Sequence, residues 1–392
     1  MATGRASVSA SPLEVRAVKA VRSAAPVTVL ALGVFGAVRG AGVLVLTLGS
    51  WWAGRDPLKV LGGSWDSVWY LGIAAHGYGR TQMWADTGSI QSDYAFFPLY
   101  PLLMRLGAAV LPGGLVPAGI LVAWTCAAAA AVGVYRVGEA VIGPRAGLLL
   151  VGLWAALPHA VVLTLAYTEP LLAALAAWAL YCLLRGRWLA AAGLAVLAGL
   201  TRPTGLAVAA AVSGMALHAV LVRRRREPEV WAAGLLAPAG WAGYVLAVGA
   251  RTHDPLGGYF AVQRRWGSRF DFGYGALRSA ERVLTGGHVP LATTVTVVLL
   301  GAAGLLAAAL LMDRIPLPLL AYTAVLLVIA YGGAGFFESK PRFLLPAFPL
   351  LLPVAAVMAR ARPRTAVVVT AVLAGLGHGY GLYLLLVARV PL

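Results

Sequence analysis

Long apolar runs make up most of this chain, and short clusters of arginine, glycine and proline separate them. Runs of about 20 apolar residues are the length needed to cross a hydrocarbon core of about 30 Å. Inside lipid each segment must satisfy its own backbone polar groups, so the runs are expected to be helices. Spans are expected near 27–50, 115–136, 146–163, 167–184, 188–201, 203–222, 230–250, 290–312, 315–335, 343–359 and 365–388. The pattern predicts an all-α polytopic membrane protein with about eleven transmembrane helices.

The stretch 96–111 (FFPLYPLLMRLGAAVL) tests that count. It is short, has Pro98 and Pro101 near its start and carries Arg105 in its middle. Counting it as a span inverts every later loop and puts the arginine run Arg223 to Arg226 outside, against the rule that short basic loops stay in the cytoplasm. A helix lying along the interface restores the alternation. The cytoplasmic loops are then Arg136 to Arg145, Arg185 to Arg187, Arg223 to Arg226, Asp313 to Arg314 and Arg360 to Arg364. The external segments are 51–114, 164–170, 200–204, 251–289 and 336–342. A basic N-terminus (1–26) precedes one membrane domain (27–392), the pattern of a retained signal anchor.

Composition agrees. The 392 residues are 60% hydrophobic and 11% charged, against about 25% charged in soluble domains, so lipid must cover most of the surface. The formal net charge of +17 would point to nucleic acid in a soluble protein. Here the basic residues sit in short loops where they set orientation, so the expected surroundings are membrane lipid and no nucleic acid. Cys126 and Cys182 lie in apolar runs and read as packing residues. The histidines show no paired ligand spacing, and no nucleotide-binding fingerprint is present, so no metal site is expected.

Against so apolar a background the ionisable residues stand out. Asp66 lies between Trp65 and Trp69 in GSWDSVWYLGIAAHGYG, a stretch that also holds Tyr78. Two readings stay open: an aromatic interfacial belt with an incidental carboxylate, or a general base held at membrane height for a lipid-linked substrate. Glu169 (AYTEP) can complement a helix N-terminus. Arg202 (GLTRPTG) is a lone external cation, either snorkelling or holding a phosphate. FFESKPRFLLPAFP adds Glu338, Lys340 and Arg342, with Lys340 one of only three lysines. Arg39 sits inside the first span, where it needs a partner such as Glu169 or Glu338, or a water-filled cavity.

The series WDSVWYLGIAAHGYG, FFPLYPLL, YTEPLLAALAAWALY, GLTRPTGL and ESKPRFLLPAFPLLLP resembles the PIG-V-like mannosyltransferases, relatives of the second mannosyltransferase of GPI-anchor synthesis within the GT-C class of membrane glycosyltransferases. The matches follow the family's order from about residue 36 to 353. The resemblance implies a polyprenyl phosphate mannose donor, transfer on the extracytoplasmic face and inversion at the anomeric carbon. It implies Asp66 as base, Arg202, Lys340 and Arg342 as cations for the donor phosphate, and Glu169, Glu338, Arg39, Trp65 and Tyr78 in support. No cofactor follows from it; a divalent metal is compatible with the chemistry but not required. The acceptor, whether lipid, glycan or protein, stays open, and 251–289 is a candidate to select it. An Arg-, Ala-, Gly- and Val-rich composition points to a high-GC bacterium and its plasma membrane. The competing class is a polyprenyl-linked lipid transporter or flippase, which would show pseudosymmetric halves with broken helices; the sequence shows no such symmetry.

Overall fold

The computed structural model describes residues 24–83, 88–286, 288–388 and 390; most of the expected basic N-terminus lies outside them. The order of helices is α1 (Ala24–Trp52), α2 (Pro57–Gly62), α3 (Asp66–His76), α4 (Leu99–Val110), α5 (Leu115–Val141), α6 (Pro144–Ala155), α7 (Glu169–Leu184), α8 (Trp188–Gly199) and α9 (Leu206–Leu221). Then come α10 (Pro228–Leu236), α11 (Ala239–Arg251), α12 (Gly258–Arg265), α13 (Tyr274–Leu284), α14 (Leu291–Met312), α15 (Leu317–Gly332), α16 (Lys340–Phe343), α17 (Leu352–Met358) and α18 (Pro363–Tyr383). The protein is an all-α polytopic membrane protein.

The expected apolar helices differ in length. Six segments among the described residues are long and apolar enough to cross a membrane: Val27–Trp52, Leu115–Val141, Pro203–Leu221, Pro228–Arg251, Leu291–Met312 and Pro363–Ala388. A seventh, expected as one helix over 343–359, is a pair of segments, Phe337–Phe343 and Phe348–Met358, bent by 77°. Pro346 lies in the break, where its missing amide donor and its ring interrupt the helix, while Pro341 and Pro349 occupy the first turns of the two segments, where proline is tolerated. The remaining four, α6, α7, α8 and α15, have 12 to 16 residues. At 1.5 Å per residue they reach only about 18–24 Å. Their shortness is tolerated because protein surrounds them: α7 is buried along nearly its whole length, and its exposed neighbours take the contact with lipid.

Small residues let these helices approach closely, as helices in membranes require. A Cβ added at Gly138 of α5 would stand 2.8 Å from Cα of Gly147 in α6. In α7 the run Ala173, Ala176 and Ala177 is fully buried, and a Cβ at Gly133 of α5 would meet Ala177 at 2.9 Å. Trp154 near the end of α6 is also fully buried. It stacks on Phe35 at 5.7 Å and donates from Nε1 to the Leu345 carbonyl (3.0 Å), tying α1, α6 and the bent segment together.

Residues 53–114 hold α2, α3, a two-stranded antiparallel ribbon (Thr81–Met83 with Ile90–Ser92) and α4. The stretch 96–111, expected to lie along the interface, holds α4, whose 12 residues are fewer than a lipid-facing span needs. Tyr100, Pro101 and Met104 are buried on one face and Leu102, Leu106 and Val110 are exposed. Tyr100 donates to the Gly119 carbonyl at 2.9 Å, which fastens α4 to α5.

Candidate active site

Four chain segments far apart in sequence meet at the start of α7. The first turn of α3 is stitched to the turn before α7: the Asp66 amide donates to the Tyr167 hydroxyl (3.3 Å), Ser67 Oγ donates to the Ala166 carbonyl (3.1 Å), and the Tyr70 and Thr168 hydroxyls lie 3.1 Å apart. Trp65, just before α3, has φ 48°, a region bulky residues enter only at a cost. That backbone turn starts α3 at Asp66.

The bent segment brings Arg342 to this junction. Its Nη1 lies 2.7 Å from Asp66 Oδ2, and its Nε lies 3.2 Å from Glu169 Oε1. Arg202, in extended backbone between α8 and Pro203, pairs with the same Glu169 oxygen. Asp66, Arg342, Glu169 and Arg202 thus form an unbroken series of alternating charge. The Phe343 ring lies beneath both guanidiniums, 5.2 Å from Arg342 and 5.5 Å from Arg202, and Tyr167 lies 5.5 Å from Arg342. Such contacts favour arginine over lysine. Three members are buried, with side chains 1% (Glu169), 7% (Arg342) and 9% (Arg202) exposed, whereas Asp66 is 26% exposed. Asp66 is therefore the most accessible member of the series.

The other candidates lie outside this series. Lys340 Nζ donates to the carbonyls of Ala330 (2.9 Å), Tyr331 (3.2 Å) and Gly333 (2.6 Å) at the end of α15. An ammonium has three hydrogens, and all three are used there. Glu338 accepts from Thr293 Oγ1 of α14 at 2.7 Å. Arg39 has neither of the carboxylates expected for it: it donates to the Ala155 carbonyl (3.3 Å) and to Thr164 Oγ1 (3.5 Å). Tyr78 donates to the Phe96 carbonyl (2.8 Å) and stacks on Tyr94 at 5.6 Å. Burial raises its hydroxyl above the ordinary tyrosine range, so it stays protonated and able to donate. Burial does the same at Tyr70, and the neighbouring Asp66 adds to it.

Several residues at the junction escape sequence reasoning. Tyr167 and Thr168 stand inside AYTEP, yet only the fold shows that they face α3. Trp266 meets Trp69 edge to face at 5.0 Å and Phe96 at 5.3 Å, and its Nε1 donates to the Ser92 carbonyl at 3.0 Å. Arg269–Phe270 pairs with Gly333–Ala334 as a short ribbon. Segment 251–289 is thereby joined to the stretch that follows α3 and to the loop carrying Arg342. Asp93, 1% exposed, accepts from the Gly79 (3.1 Å) and Arg80 (2.9 Å) amides and fixes the loop after α3. Among the described residues no three His, Cys, Asp or Glu side chains gather as a metal site.

No protein-family model matches the sequence, and no curated protein matches it. Solved structures do. ArnT from Cupriavidus metallidurans, determined bound to undecaprenyl phosphate, superposes with a TM-score of 0.51 at 14% identity, over 86% of this chain and 63% of that one. The oligosaccharyltransferase of Archaeoglobus fulgidus gives 0.51 at 16% identity, over 92% of this chain and 55% of that one. The fold is of the GT-C type. The chain spans less than two thirds of the length of either structure, and the identities are low enough that the likeness extends to the fold alone.

Proposed function

We propose that the protein is a membrane glycosyltransferase that moves a hexose, mannose by the sequence resemblance, from a polyprenyl-phosphate-linked donor to an extracytoplasmic acceptor with inversion. The observation that carries this reading is the partly exposed Asp66 carboxylate at the open end of an otherwise buried series of alternating charge. The GT-C fold supports it, as does the undecaprenyl phosphate bound to one of the two structures. The sidedness rests on the helices themselves. From Glu169, α7 runs to Arg185, and α9 runs from the Arg202 turn to Arg223–Arg226. Basic loops therefore lie at the far ends of helices that start at the site, which supports an external site by the positive-inside rule.

In the proposed reaction Asp66 removes the proton of an acceptor hydroxyl as its oxygen attacks the anomeric carbon. The bond from that carbon to the phosphate oxygen breaks, and polyprenyl phosphate leaves with both bonding electrons. Arg342 and Arg202 neutralise the charge that grows on the phosphate. Phosphate is a good leaving group, so no general acid is needed. Glu169 acts as a positioning residue, holding both guanidiniums toward one point. The arriving phosphate competes with Asp66 for Arg342, which frees the carboxylate when donor is present. Lys340 supports the loop from below, leaving phosphate contact to the two arginines.

The test is release or transfer of sugar from synthetic polyprenyl phosphate mannose by protein in nanodiscs, wild type beside Asp66→Asn. Turnover confined to the wild type supports the reading. Equal turnover by both removes Asp66 as base, and absence of donor binding by the wild type removes the transferase.

A further inference from the structure

A groove of about 160 Å³ runs along the seam of α9 and α10, toward the end of α9 opposite Arg202. Ser213, Leu217 and Val220 line it from α9, and Val230, Trp231 and Leu235 from α10. The three α9 residues share one stripe of that helix, about 10 Å long at 1.5 Å per residue. Ser213 Oγ is spent on the Gly234 carbonyl at 2.7 Å, which leaves walls of hydrocarbon apart from the Trp231 ring N–H. Leu217, Trp231 and Leu235 are each at least half exposed. Both helices belong to segments long enough to cross the membrane, so the groove opens toward lipid.

At its loop end stand Arg223, Arg224, Arg225 and Arg226, all exposed. Among the described residues none of the four enters an ion pair, although Glu227 and Glu229 follow directly. The Arg223 amide donates to the His218 carbonyl (3.3 Å) and the Arg225 amide to the Ala219 carbonyl (3.0 Å), so the run folds back over the last turn of α9, next to Val220. Arg224 makes that turn at φ 55°. Glycine takes such a left-handed position at a helix end without cost, whereas an arginine there is strained. Setting the orientation of the chain requires charge in this loop but not an arginine at a position suited to glycine. Strain that packing does not require points to a use for the side chain. Hydrocarbon along the groove, Trp231 in the first turn of α10 and unpaired guanidiniums beyond it follow the order of groups in a phospholipid at a membrane boundary. We propose that the groove seats one acyl chain of an anionic phospholipid whose phosphate is held by the run Arg223 to Arg226. Guanidinium forks suit phosphate oxygens, and the net positive charge of the run favours an anionic headgroup over a zwitterionic one. The chain fixes the lipid in the seam, and the arginines select its headgroup. This site is independent of the sugar-transfer reading.

Trp231 serves as the reporter, because a brominated chain lying in the groove quenches its fluorescence. The experiment titrates phosphatidylglycerol with one brominated chain into phosphatidylcholine nanodiscs that hold the full-length protein. Phosphatidylcholine with the same brominated chain gives the level of random lipid contact, and the part of the quenching that Trp231→Phe removes is the signal of Trp231. The expected result is half-quenching at a mole fraction of phosphatidylglycerol at least about tenfold below that of phosphatidylcholine. Arg224→Gly and Arg225→Gln each move the phosphatidylglycerol midpoint about fivefold toward the phosphatidylcholine value, the usual weight of one arginine beside anionic lipid. Arg224→Gly also melts higher than the wild type in detergent, since glycine relieves the left-handed strain. Val220→Phe narrows the groove and weakens the phosphatidylglycerol signal as well. High salt does the same to the wild type, so the proposal stays testable if a variant fails to fold. Equal quenching by the two lipids overturns it. A preference for phosphatidylglycerol undiminished in Val220→Phe puts the lipid at the loop surface and not in the groove, which also overturns it. Arg224→Gly melting lower, with phosphatidylglycerol bound as before, shows that the arginine serves the fold and overturns its role here.

Discussion

Arg342 is shared between two carboxylates of unequal exposure, and the inequality separates their expected behaviour. Glu169 is buried between two guanidiniums. Removing one partner of a buried ion pair leaves charge uncompensated, typically at about 3–5 kcal/mol. Glu169→Gln is expected to lower the unfolding temperature in detergent and to cost activity with it; an unchanged melting curve would refute its positioning role. Asp66 is a quarter exposed, so solvent covers part of any change there. Asp66→Asn is expected to melt close to wild type while transfer falls by about 10²–10⁴, the usual range for loss of a general base. Lys340→Met removes a charged cap from the carbonyl end of α15 and should destabilise by about 1–2 kcal/mol without weakening binding of a polyprenyl phosphate. Weakened binding at unchanged stability would return Lys340 to the phosphate. Charged residues in so apolar a sequence announce themselves, which is why Asp66, Glu169, Arg202 and Arg342 were legible. Tyr167 was not, because an aromatic residue near a helix end looks like any interfacial anchor. The partners of Lys340 and Arg39 are mainly backbone carbonyls, which carry no mark in a sequence.

The sequence pattern located most of the apolar helices to within a few residues, but the expected span 146–163 overran α6, which ends at Ala155, and the one expected over 343–359 is broken. Hydrophobicity measures whether a segment avoids water and says nothing of whether lipid or protein surrounds it. Helix α7 is the case in point: protein covers it, so 16 residues suffice where a lipid-facing helix needs about 20. The bend after Phe343 was foreshadowed by three prolines in FFESKPRFLLPAFP, yet their number gives no angle, and the angle is what turns Arg342 toward Asp66. Contacts between external segments were invisible because they depend on side chains such as Trp266, far from their partners in sequence. That contact is testable. Trp266→Ala should loosen 251–289, and trypsin should then cut faster at the exposed Arg264, Arg265 and Arg269. Cleavage at the wild-type rate would show that the ribbon with Gly333–Ala334 holds the segment without it.

Sidedness belongs to the molecule as a whole. With both native cysteines replaced, a new cysteine at exposed Thr285 should react with an impermeant maleimide on intact cells, and one at exposed Arg224 should react only after lysis. The opposite pattern would place the site on the cytoplasmic side and remove the extracytoplasmic reaction. Helix α7 starts and α8 ends at the junction that holds the charge series. Under the proposed reaction the lipid-linked donor travels within one leaflet, so encounter is a search in two dimensions. Rate should follow the mole fraction of donor in the membrane and not its amount per volume. Diluting the donor with inert lipid at fixed total donor should slow turnover, whereas diluting the vesicles in buffer should leave each enzyme's rate unchanged.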